Sequence, residues 1–148
     1  MIQQKLFSHC RSYIAETLNG FENRKAEILL ALESESKSSA GDKHETGRAM
    51  IQLEREKLGE QIKKFELHQK NLIHLKNHIR SERVKLGSVV TTNQSNFYIS
   101  FPVTECIVKS KTYYCISAQS PIGKLLLGKK VGDQIIFNNK TSLILEVF

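Results

Sequence analysis

The chain has 148 residues, 40% hydrophobic and 25% charged, with a formal net charge of +7. That length admits one ordinary domain or two small modules, and the composition is too apolar for wholesale disorder. No apolar run approaches the roughly 20 residues that span a bilayer, and Met1 to Ser12 lacks the continuous apolar stretch of a secretory leader, so a cytoplasmic location without membrane attachment is expected.

Residues 1–82 contain no proline, and their apolar residues recur every seven. Phe7, Ile14, Phe21 and Ile28 fall on one heptad, with Leu18 and Leu32 in support; Ile51, Leu58, Phe65, Leu72 and Ile79 form a second, with Ile62 and Leu75. A seven-residue repeat keeps one narrow seam facing a partner helix. Two such segments of similar length predict an antiparallel coiled-coil hairpin over 1–82, and arms of about 30 residues would reach roughly 45 Å at ~1.5 Å per residue. Lys25 and Arg11 interrupt the first seam. Between the arms, Ser34 to Asp42 is rich in serine, and Gly41-Asp42 can turn the chain, so the tip is placed near 38–46. This module carries 14 Lys and Arg against 12 Asp and Glu, whereas 83–148 carries 8 against 3. A sparsely acidic, basic second half suits polyanionic or acidic partners.

From Arg83 the period changes. Val84–Thr92, Asn96–Val103, Tyr113–Ser117, Gln134–Asn138 and Ser142–Phe148 are rich in β-branched and aromatic residues, as strands are, with Asn139-Lys140 as a hairpin turn. Ser120 to Leu127 reads as a short helix with Ser120 as N-cap, Pro121 as its first residue and Gly128 as its stop. Residues 83–148 are therefore predicted to form a small antiparallel sheet with one short helix, and the whole chain an α+β protein.

Several residue patterns carry chemistry. Asp42 and Glu45, three apart, share one side of a helical turn as a pair of hard oxygen donors; the same spacing also fits a capping box, in which both side chains satisfy backbone donors. Lys57, Lys63 and Lys64 lie among the cations of the second arm and suit phosphate contacts, although interspersed glutamates suit an ordinary solvated face equally. His74 and His78 have the i, i+4 spacing of a helical metal pair, but no third ligand completes a site, and His68 joins them on a solvated face. Cys10, Cys106 and Cys115 show neither disulfide-framework nor zinc spacing and read as buried, reduced thiols. Tyr113 and Tyr114 offer rings for base stacking, with one assigned to the core. No phosphate-binding glycine loop, GxSxG or Cys–His arrangement nominates a free-standing enzyme.

The order of these modules resembles that of the Gre transcript-cleavage factors. Ser120-Pro121-Ile122-Gly123-Lys124-Leu125-Leu126-Leu127-Gly128-Lys129-Lys130-Val131-Gly132-Asp133 is similar to the family's C-terminal signature. Gly41-Asp42-Lys43-His44-Glu45 is similar to its acidic tip, and Gly87-Ser88-Val89-Val90 to the first strand of its second domain. The resemblance implies an FKBP-like C-terminal domain without isomerase activity, docked on RNA polymerase at the rim of the secondary channel. Ser120, Pro121, Ile122, Gly123, Lys124, Gly132 and Asp133 are then the docking candidates. It further implies that the hairpin enters the channel, where Asp42 and Glu45 help hold a second Mg²⁺ in the polymerase active site while the polymerase cleaves a backtracked transcript. No cofactor is expected in the free protein; a hairpin that satisfies its own seam argues for a monomer, and the charge of Lys57, Lys63 and Lys64 makes them candidates to line the path of the nascent RNA 3′ end. Beyond Glu45 the family's further acidic and aromatic residues are replaced by Thr46-Gly47-Arg48-Ala49, which leaves open a channel-binding regulator or inhibitor without cleavage activity. The heptads alone also permit a structural coiled-coil protein unrelated to transcription.

Overall fold

A computed structural model describes residues 2–36 and 41–148, with the side chains of 35, 36 and 41–44 outside that description. The described residues form helix α1 (Ile2–Ser36), helix α2 (Gly41–Lys76), strands β1 (Val89–Thr92), β2 (Asn96–Ser100), β3 (Cys106–Val108) and β4 (Lys111–Ser117), helix α3 (Pro121–Leu126), and strands β5 (Gln134–Phe137) and β6 (Lys140–Val147). They divide into two compact units, one of residues 14–69 and one of residues 1–13 with 70–148. The change of sequence period near 82 and the division by compactness thus fall at different places, because both ends of the helical pair pack with the sheet.

In the 14–69 unit the two helices pair antiparallel, as the heptads predict. Ile28, Leu58 and Ile62 are buried together, with Leu18, Phe21, Leu32 and Ile51 packed around them. Phe21 meets Phe65 edge-on at 5.5 Å between ring centroids, and Arg24 reaches across to Glu54 at 2.9 Å from Nε. The seam is satisfied within one chain. Lys25, the polar interruption, is exposed and leaves a gap in the stripe. Gly41 and Asp42, expected to turn the chain, instead belong to α2.

The sheet has strand order β3-β4-β2-β1-β6-β5. All of its pairs are antiparallel except β2 with β4, which run parallel from Asn96↔Tyr113 to Ser100↔Ser117. The sheet is thus mostly antiparallel, as expected, with one parallel pair that β3 explains. After β2 the chain places β3 antiparallel one strand-width further out, and β4 returns through the gap between them. A three-residue edge strand is too short to show a period in sequence, so β3 escaped prediction.

Three other expectations shift. The strand predicted from Val84 begins only at Val89, because Gly87 sits at φ +89°, outside extended geometry; Val84 bonds instead to Lys129 and Gly128 at 2.8 Å each. The last hairpin turns on Asn138-Asn139, both at positive φ as a two-residue I′ turn requires, with Lys140 already in β6. Ile79, the last of its heptad, lies beyond the end of α2 and is 75% exposed.

One face of the sheet carries Val90, Ile99, Ile144 and Val147 against Leu126 of α3, with Val84 and Ile135 closing the cluster. The opposite face presents Val89, Tyr98 and Cys115, all buried. The first turns of α1 cover this second face: Cys10 Sγ lies 3.6 Å from Ser100 Oγ, Gln3 Nε2 donates to the Gly87 carbonyl at 3.4 Å, and His9 Nε2 lies 2.9 Å from the Thr104 carbonyl. Cys10 and Cys115 share a hydrogen bond, which with burial holds the Cys115 thiol protonated well above its ordinary range. No helix of the described residues is long and apolar enough to cross a membrane.

Candidate functional site

At the start of α2, Asp42 and Glu45 are the second and fifth residues of the helix. Three helical residues rise about 4.5 Å and return to nearly the same side, so one turn presents both positions in the same direction. Glu45 is exposed. The remainder of the predicted tip, 37–40, lies outside the described residues, as does the Asp42 side chain. Lys57, Lys63 and Lys64 are exposed along α2, and Lys57 and Lys64, seven apart, share one face.

The signature around α3 separates into residues that build it and residues it presents. Ser120 is extended (φ −65°, ψ 158°) and is the N-cap: its Oγ accepts from Gly123 N at 3.1 Å and donates to the Ser117 carbonyl at 2.6 Å. Pro121 occupies the first helical position, where a missing N–H costs nothing. Gly123 is buried, and a Cβ there would collide with the Ser117 carbonyl oxygen, so the helix approaches β4 as closely as it does only with glycine at this position. Ile122 and Leu126 turn into the core. Beyond the helix, Asp133 Oδ2 accepts from Lys130 N at 2.9 Å, and Gly132 N and Asp133 O bracket Ile144 at 2.9 Å each.

Ser120, Gly123, Gly132 and Asp133 therefore hold the shape. Pro121 and Lys124 face outward, together with three apolar residues the sequence analysis did not single out: Leu125, Leu127 and Val131, each more than a third exposed. Their signal was present in composition. A six-residue helix with Ile122, Leu125 and Leu126 followed by Leu127 has more apolar side chains than one face can bury. Lys124 and Lys130, in the same stretch of chain, are exposed and Lys129 is partly exposed.

The remaining candidates are not brought into a reactive cluster. α2 ends at Lys76, so His74 and His78 do not share a helix face, and among the described residues no group of three His, Cys, Asp or Glu could hold a metal ion. Tyr113 is 3% exposed and is the core member of its pair, while Tyr114 is 42% exposed and packs near Phe97 at 6.2 Å.

Comparison with known proteins gives two findings. Residues 79–147 match the family described as transcription elongation factor, GreA/GreB, C-terminal. A solved structure titled as that of the transcription factor Gfh1 is 19% identical, with 93% of this chain and 92% of that chain covered and a TM-score of 0.35. No curated protein matches the chain.

Proposed function

We propose a function from the premise that this chain is a member of the GreA/GreB family of transcription elongation factors, placed there by its C-terminal module. It acts as an accessory factor on RNA polymerase: the α3 face docks, the helical hairpin enters the secondary channel, and Asp42 and Glu45 stimulate the polymerase to cleave backtracked RNA. The carrying observation is the exposed Glu45 in the same helical turn as Asp42, at the end of a hairpin whose seam is already satisfied. The seam supports a monomer, since Ile28, Leu58 and Ile62 bury one another within a single chain.

The chemistry fits the donor set. Two carboxylates within one turn offer hard oxygen ligands, and Mg²⁺ takes one or two such ligands while keeping waters. Held by Asp42 and Glu45 within the polymerase active site, Mg²⁺ would activate water and balance phosphate charge during phosphodiester hydrolysis. Lys57 and Lys64, exposed on one face of α2, would attract the phosphates of a displaced RNA 3′ end. At the docking face, Leu125, Leu127 and Val131 supply apolar contact, and Lys124, Lys129 and Lys130 complement an acidic rim.

A second reading keeps the docking and discards the cleavage. Arg48 is exposed and three residues from Glu45 on α2, so a fixed positive charge sits beside the carboxylate meant for a cation. The test that separates the two is a stalled, backtracked elongation complex with the protein added. Shortened transcripts that disappear in the Asp42→Ala/Glu45→Ala double variant support delivery of carboxylates. Slowed transcription without shortened products supports an inhibitor, and transcript shortening unaffected by the double variant rules out the carboxylate mechanism.

A further inference from the structure

Within the unit that joins residues 1–13 to the sheet, a cleft of about 610 Å³ opens between the first turns of α1, the end of α2 and β2. Arg11 and Lys76 line it, and none of its lining residues is acidic. Neither cation pairs with a carboxylate among the described residues. Arg11 is instead held with its guanidinium 5.8 Å from the centre of the Phe7 ring, which fixes the charge at the wall without neutralising it. Two unpaired cations facing one concavity repel each other, and an anion between them relieves that repulsion.

The rest of the lining argues against a bare phosphate. Phe7, Tyr98 and Leu75 add two rings and an aliphatic side chain, and the volume falls in the range that encloses a small organic ligand. His78 also lines the cleft. Its Nδ1 donates to the Leu86 carbonyl at 3.1 Å, which leaves Nε2 as an acceptor, and Nε2 has no hydrogen-bond partner among the described residues. The wall behind it is tight, since a Cβ on Gly87 would come within 2.7 Å of the His78 ring.

We propose that this cleft binds a nucleoside diphosphate or triphosphate, with Arg11 and Lys76 on the phosphates and Phe7 against the base. The site is separate from the residues assigned to polymerase, so neither proposal rests on the other.

The experiment is a calorimetric titration of the full chain with ADP, GTP and inorganic pyrophosphate, repeated on Arg11→Gln, Lys76→Gln, Phe7→Leu and, as a surface control, Lys111→Gln. Saturable nucleotide binding that weakens at least tenfold in Arg11→Gln and Lys76→Gln and stays unchanged in Lys111→Gln is the expected result. Phe7→Leu should weaken nucleotide and leave pyrophosphate unaffected. Absence of saturable binding, or equal weakening by Lys111→Gln, overturns the site in favour of diffuse attraction to a basic protein. Pyrophosphate binding as tightly as the nucleotides overturns the assignment of a base to Phe7. Both charge variants alter exposed side chains, so unchanged thermal unfolding will verify that the fold is intact.

Discussion

The Ser120 hydroxyl and the Gly123 backbone meet in one short turn, and the cost of changing either follows from what each does there. Ser120→Ala leaves the Gly123 N–H without its cap and is expected to destabilise the protein by about 1 kcal/mol. Gly123→Ala forces a methyl against a backbone carbonyl that belongs to the strand end and cannot rotate away, with an expected cost of about 1–3 kcal/mol. Urea unfolding should rank Gly123→Ala below Ser120→Ala; the reverse order would place the close approach elsewhere. His78 makes a pH prediction. Burial lowers its pKa below the ordinary value of 6.5, its bond to Leu86 acting against the shift and Lys85 adding to it. The unfolded chain then binds a proton that the fold resists, so the contribution is complete above pH 6.5 and is lost as pH falls toward the folded value. Thermal stability should decline on the acid side of neutrality, and His78→Asn, which keeps a donor for Leu86, should flatten part of that decline. His68, shifted the same way by burial and Lys64, adds to the decline.

At the scale of elements, the hairpin rests on a few buried residues. Ile62 is packed with Ile28 and Leu58, and Ile62→Ala should cost about 2–5 kcal/mol by leaving a cavity in a narrow seam. The Arg24–Glu54 pair crosses the same helices with both side chains about half exposed, where water and salt screen it, so Glu54→Gln should leave the unfolding midpoint nearly unchanged. A larger effect for Glu54→Gln than for Ile62→Ala would show that charge, not the apolar seam, sets the pairing. The heptads were legible because burial in a two-helix seam writes its period directly into the sequence. The end of that period was not: Ile79 continues the count, yet the helix stops at Lys76 and leaves it in water.

For the whole molecule, the sheet has two apolar faces and only one short helix of its own. α3 covers the face of Val90, Ile99 and Ile144; the Tyr98 and Cys115 face depends on the first turns of α1, more than 80 residues away in sequence. A fragment of residues 79–148 should therefore unfold at a lower denaturant concentration than the same sheet in the full chain, with the greatest loss of amide protection in β2 and β4. Equal protection in fragment and full chain would show that α1 is not needed to close that face. The same dependence creates the cleft proposed to bind nucleotides, which takes walls from α1, from the end of α2 and from β2.

Local and periodic signals in the sequence determined the two helical arms, their antiparallel pairing, and the Ser120 cap with Pro121 behind it. Each depends on neighbours within a few residues or on a repeat of seven. The parallel β2–β4 pair, the outward set of Leu125, Leu127 and Val131, and the burial of Cys10 against Ser100 were decided only by tertiary structure. Strand order and face coverage are contests between distant segments for the same apolar surface, and no local pattern records which segment wins.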